Sequence, residues 1–240
     1  MNIGFAPPTL RLMFDVNCEN KITDMRLLFT ALAFLISVTF FSQKETRLAL
    51  VIGNSNYDLG ELKNPVNDAL LIASTLESLG FEIILDTNIS SRTEFIRTIR
   101  TFGNKRELYD VACVYYAGHG VQIDSENYLL PTKEIYESEE DVMDFGVSVQ
   151  NILRYLESHG DKVNIFILDA CRNNPFEQIW KSERSLTGGS GLAKINPATG
   201  SLIAYSTEAN TTASDGMGDN SLYCQALCEN LLIKGLSIDQ

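Results

Sequence analysis

With 240 residues, 45% of them hydrophobic, the chain is long enough to bury a full core and suits one ordinary domain plus an extension. Its 31 acidic against 19 basic side chains give a net charge of -12, which repels a phosphate backbone and excludes a nucleic-acid role built on a basic stripe. Five cysteines, Cys18, Cys113, Cys171, Cys224 and Cys228, lack the even count and dense spacing of a disulfide scaffold, and with only His119 and His159 beside them they complete no tetrahedral zinc set.

Leu27 to Phe41 is an uncharged run of apolar and small residues, preceded by Met25-Arg26 and followed by Ser42-Gln43-Lys44. It is shorter than the roughly 18 to 20 residues that span a bilayer, so it reads as an export leader that is cleaved, with an uncleaved anchor as the alternative. Met25 stands where a leader begins. Residues 25–42 are therefore the expected signal peptide, residues 1–24 an upstream extension without structure, and the mature chain is expected in the periplasm or outside the cell. The membrane is met only through the leader.

From Arg47 short apolar runs alternate with helical periodicity, the pattern of strand-helix-strand units around a mostly parallel sheet, and the class is α/β. Arg47 to Ile52 is a strand, and a helix after Asn64-Pro65 carries Ala69, Leu70, Ala73, Leu76 and Leu79 on its apolar side before Gly80 ends it. Phe81 to Leu85 is a second strand. Ser91 to Phe102 is an amphipathic helix that Gly103-Asn104 stops. Val111 to Ala117 and Val163 to Leu168 are continuous apolar runs suited to central strands, with a hairpin near Val121 to Leu130 and a helix near Val149 to Ser158 between them. Phe176 to Gly200 reads as an exposed loop open to self-cleavage, Ser201 to Ser206 as a fifth strand and Leu222 to Lys234 as the last helix, where Cys224 and Cys228 share one apolar face.

Functional groups in open α/β sheets collect beyond the carboxyl ends of the strands. Two segments fit that place: Tyr115-Tyr116-Ala117-Gly118-His119-Gly120 and Leu168-Asp169-Ala170-Cys171-Arg172-Asn173. On neighbouring strands, His119 could take the thiol proton of Cys171, and an imidazolium beside the thiol would hold a thiolate at neutral pH. The N–H groups of Gly120 and Cys171 are candidates for an oxyanion hole. Singly, Cys171 reads as a core residue and His119 as a turn histidine; their matching positions, 52 residues apart, favour chemistry. His159 before Gly160 reads as a helix cap, and Gly188-Gly189-Ser190-Gly191 as a linker, not a phosphate loop.

Those two segments, together with Leu48-Ala49-Leu50-Val51-Ile52-Gly53-Asn54 followed by Tyr57, resemble the caspase-like peptidase family, and within it the bacterial metacaspase-like (orthocaspase) and paracaspase groups. The resemblance places the domain at residues 46–240. It implies a caspase-hemoglobinase-like fold with a mostly parallel central sheet and helices on both faces, no cofactor, and hydrolysis of peptide bonds through a Cys-His dyad and a covalent acyl-enzyme. It also implies more chain after the last helix. Caspases proper carry Gln and Gly where this chain has Asp169 and Asn173, so aspartate specificity is not carried over. Asp169, Asp68 and Asp215 instead align with acidic residues of a primary specificity pocket, which implies protein or peptide substrates cut after Arg or Lys. The readings from other classes are a catalytically silent scaffold, whose usual mark is a missing His or Cys, and a cysteine-dependent acyl transferase or amidase using the same pair.

Overall fold

Apolar residues on both faces of a strand demand cover on both sides, and the runs read from the sequence obtain it by stacking helices above and below one sheet. The computed structural model describes residues 45–58, 60–156, 162–171, 192–195, 200–206 and 218–236, with Cys171 by its backbone alone. All of these fall in one unit, Glu45–Gln240. In chain order the elements are β1 (Arg47–Gly53), α1 (Pro65–Ser78), β2 (Phe81–Thr87), α2 (Arg92–Arg106), β3 (Val111–Ile123), β4 (Glu126–Leu129), α3 (Glu139–Phe145), β5 (Val147–Ser148), α4 (Val149–Leu156), β6 (Val163–Cys171), β7 (Ser201–Tyr205) and α5 (Leu222–Leu231).

The parallel part of the sheet runs β2-β1-β3-β6-β7, and the far half of β3 pairs antiparallel with β4, which pairs with β5. Alternation along the strands divides the core in two. Val51, Tyr115 and Ile165 pack under Ala69, Ile72 and Leu76 of α1 with Cys224 and Cys228 of α5. Leu50, Val114 and Phe166 face Phe95, Ile99 and Phe102 of α2 with Ile152, Leu153 and Leu156 of α4. The expected α/β architecture with helices on both faces is the one observed.

Several local readings are corrected. Leu70 is 49% exposed, and Ile72 takes the inner position assigned to it. α2 does not stop at Gly103-Asn104 but continues to Arg106. Gly103 is there for space: a Cβ on it would run into Cδ1 of Tyr155 on α4. The strand expected to end at Ala117 runs to Ile123, so the hairpin is an extension of β3. α5 ends at Leu231. α3 was not anticipated; its seven residues carry little apolar periodicity, and its start is fixed by a capping box between Ser138 and Asp141. Within the segment expected to be an exposed loop, Leu192 and Ile195 are buried, and Ala193 exchanges two hydrogen bonds with the Asn127 amide (2.7 and 2.8 Å). The leader, the extension before it, His159 and the rest of that loop lie outside the described residues.

Candidate active site

Because β1, β3, β6 and β7 run parallel, their carboxyl ends share one edge of the sheet. The β3–β6 ladder pairs Tyr115 with Ile167, Ala117 with Asp169 and, as its last step, His119 with Cys171. Neighbouring strands lie about 4.8 Å apart, so the register alone makes the two residues backbone neighbours. α1 and α5 each follow a strand of this sheet, which brings the first turn of both helices to the same edge.

Between Ala117 and Gly120, β3 exchanges partners: its pairing with β1 ends at Ala117 and that with β4 begins at Gly120. His119 sits in this gap. Its N–H donates to the Tyr57 hydroxyl (2.9 Å), and its carbonyl accepts from the Tyr116 hydroxyl (2.8 Å) and from Leu130 N–H (3.1 Å). The Tyr57 and His119 rings lie 4.4 Å apart, tilted by 59°. Gly118 has φ +154°, and a Cβ there would stand 2.6 Å from the Tyr57 hydroxyl oxygen and 2.7 Å from that of Tyr116. Glycine is thus required at 118 on both counts.

Burial pushes the His119 imidazole down to about 4. Its Nδ1 is buried and has no hydrogen-bond partner among the described residues. At neutral pH the ring is uncharged, a free base. The same desolvation disfavours an imidazolium; its pairing with a Cys171 thiolate involves a side chain outside the described residues.

His119 and Ala117 direct their backbone groups toward the β1 and β4 side, since Ala117 accepts from Asn54 N–H (2.9 Å) and His119 from Leu130 N–H. Alternation along β3 therefore turns the N–H of Gly120 toward the side where β6 ends at Cys171. A Cβ at Gly120 would lie 3.2 Å from both the Ala170 Cβ and the Leu192 Cδ2, a tight approach that glycine relieves.

Two of the three predicted pocket carboxylates come together. Asp169 Oδ2 accepts from the Tyr115 hydroxyl (2.9 Å) and the Ser221 hydroxyl (3.4 Å). Burial raises its pKa, hydrogen bonds from Ser206 and Tyr115 oppose the rise, and the nearby Asp68 charge adds to it. Asp68, in the first turn of α1, is 2% exposed, so it is not a helix-surface charge. Its Oδ1 accepts from Ser221 N–H and from the Asn220 amide, both at 2.9 Å, and no donor among the described residues reaches Oδ2. Ser221 is also the N-cap of α5, its hydroxyl accepting from Cys224 N–H at 3.1 Å. One residue thus starts the last helix and ties the two carboxylates together. Sequence reasoning missed Ser221, Asn220 and Tyr115; a serine just before the apolar run of α5 was the available signal for the first. Asp215 and the side chain of Cys171 lie outside the described residues.

Human mucosa-associated lymphoid tissue lymphoma translocation protein 1 is 29% identical over 129 residues, and the Mus musculus homolog is 28% identical over the same length. The matched stretch is 52% of this chain and 15% of each relative, so the chain corresponds to a small part of those proteins. The caspase domain matches residues 46–240, a span that includes every strand and helix described above. With that match covering most of its length, the chain belongs to the caspase-domain family of cysteine peptidases.

Proposed function

We propose that the chain is a cysteine endopeptidase that hydrolyses peptide bonds after Arg or Lys, with Cys171 as nucleophile and His119 as general base. The observation that carries this reading is the last step of the β3–β6 register, His119 opposite Cys171, beside the joined pair Asp68 and Asp169. The thiol attacks the scissile carbonyl while the neutral imidazole takes its proton, and the same proton then goes to the leaving amine. Water attacks the resulting acyl-enzyme to release the acid and regenerate the thiol. The Gly120 and Cys171 N–H groups stabilise the oxyanion.

Two carboxylates in one partly dry pocket repel each other, and a cationic side chain relieves that cost where an acidic one adds to it. Asp68 Oδ2 is the oxygen left for it, and Asp215 is the third carboxylate of the proposal. Arg is preferred over Lys, because a planar guanidinium bonds a carboxylate in bidentate fashion. Substrates are proteins or peptides with basic residues, and residues 25–42 act as a leader removed on export. Paired fluorogenic peptides differing only in Arg, Lys or Asp before the scissile bond test the assignment. Cleavage should follow Arg, then Lys, and vanish in Cys171→Ala; preference for the Asp peptide, or full activity of Cys171→Ala, refutes it. N-terminal sequencing of the mature protein tests the leader, and a start before Met25 counts against it.

A further inference from the structure

A general base needs an aim as well as a pKa, and in dyad and triad enzymes a polar group bonded to the ring commonly supplies it. Here Nδ1 of His119 is bonded to nothing among the described residues. Among the described residues, this histidine is held by its peptide backbone and by the Tyr57 ring beside it. We infer that Tyr57 and Tyr116 form a two-hydroxyl clamp that positions His119 by gripping its N–H and its carbonyl, an inference that rests on His119 being the base.

The clamp exists because β3 changes partners. Where β1 has ended and β4 has not begun, the N–H of His119 has no strand to pair with, and the Tyr57 hydroxyl accepts it. The Tyr116 hydroxyl donates to the carbonyl of the same residue, and the two hydroxyl oxygens lie 3.2 Å apart. The Tyr116 hydroxyl donates to His119, and the Tyr57 hydroxyl donates to the Leu130 carbonyl at 3.2 Å. Burial pushes the Tyr116 phenol well above its ordinary value, so it stays a donor at any working pH.

Each tyrosine is itself anchored. Tyr116 is a fully buried residue of the central strand, stacked on Phe95 of α2 with centroids 6.0 Å apart. Tyr57 lies in the β1–α1 loop, which is pinned by the Asn88 side chain accepting from Ser55 N–H (2.8 Å) and Asn56 N–H (3.0 Å). Asn54, in the same loop, donates its amide to the Leu130 carbonyl (3.1 Å) and accepts from Ile89 N–H (3.0 Å). The Gly53-Asn54 and Tyr57 motif, otherwise without a role in the chemistry, therefore places one hydroxyl and one ring face against His119. Gly118 is the space that both hydroxyls occupy.

Tyr57→Phe and Tyr116→Phe keep each ring and delete one hydroxyl. In the full chain, kcat on the Arg peptide should fall on the order of 10- to 100-fold in each, with KM within about twofold, since aim is lost while Asp68 and Asp169 are untouched. The double variant should lose little beyond the worse single, because the clamp acts as a unit. A second readout needs no turnover: the aromatic NMR cross-peak of His119, distinguished from that of His159 with His159→Gln, should shift in either Phe variant. A wild type that cleaves nothing sinks the peptidase reading, while the shifted cross-peak still upholds the clamp. In an active enzyme, kcat within twofold of wild type in both variants overturns the clamp, whatever happens to Tm. So does a fall in kcat with the cross-peak unmoved. If one variant fails to fold, the other decides.

Discussion

Acidification from pH 7 to pH 4 should destabilise this fold through His119 in a way that one substitution isolates. The imidazole is half-buried against Tyr57, with Nδ1 dry, and titrates at about 4 in the folded chain against 6.5 when free. Between those values the unfolded chain binds a proton that the folded chain refuses, so stability falls as pH falls. The gap from about 4 to 6.5, at about 1.4 kcal/mol per pH unit, is worth about 3 to 4 kcal/mol in full, of which about 3 kcal/mol appears between pH 7 and pH 4. Asp169 works in the opposite sense: its raised pKa lets the folded state take a proton before the unfolded one does, which adds stability on acidification. Wild type alone would mix the two. Guanidinium unfolding of wild type and His119→Gln at pH 7 and pH 4 separates them, because Asp169 is common to both proteins. The variant should gain about 3 kcal/mol relative to wild type between the two pH values. A difference between the proteins that does not change with pH would refute the buried, neutral imidazole, and with it the claim that the base is free at rest.

Asp169→Ala should lose most Arg cleavage, by about 2 to 5 kcal/mol in kcat/KM, while Cys171 still reacts with iodoacetamide; unchanged Arg cleavage would place the pocket elsewhere. Ser221→Ala removes a helix cap and one bond to Asp169, so unfolding measurements should show a loss of about 1 kcal/mol, and KM for the Arg peptide should rise about two- to tenfold. Gly103→Ala should destabilise the protein, although alanine is the better helix former by about 1 kcal/mol, because its Cβ meets Tyr155. In a Tyr155→Ala background the same change should stabilise, and thermal melts of the four proteins decide the matter.

Much of this protein is written in local pattern. The apolar runs at Leu48–Ile52, Val111–Ala117 and Val163–Leu168 are strands because each buries both faces, and the 3.6-residue period of Phe95, Ile99 and Phe102 makes a helix whatever follows it. His119, Cys171 and Asp169 were legible as candidates because each stands at or just beyond the end of such a run, where a parallel sheet collects its functional groups. The fold class was legible from the same runs, and the family from the resemblance carried by the His119 and Cys171 segments.

Tertiary contacts decided the rest. No local rule says that β3 trades β1 for β4 at His119, since the trade depends on where strands far apart in sequence end. The burial of Asp68 is decided by Ser221, 153 residues away, whose N–H reaches back to it. Gly103 looks like a helix stop in sequence and proves to be a helix contact, because only the packed α4 supplies the Tyr155 ring that fills its missing side chain. Leu192 and Ile195 read as loop until the groove beside Asn127 takes them in. Periodicity reports which face of an element is apolar. Which partner covers that face, and which polar groups are dried by it, is set by contacts between distant residues that periodicity does not encode.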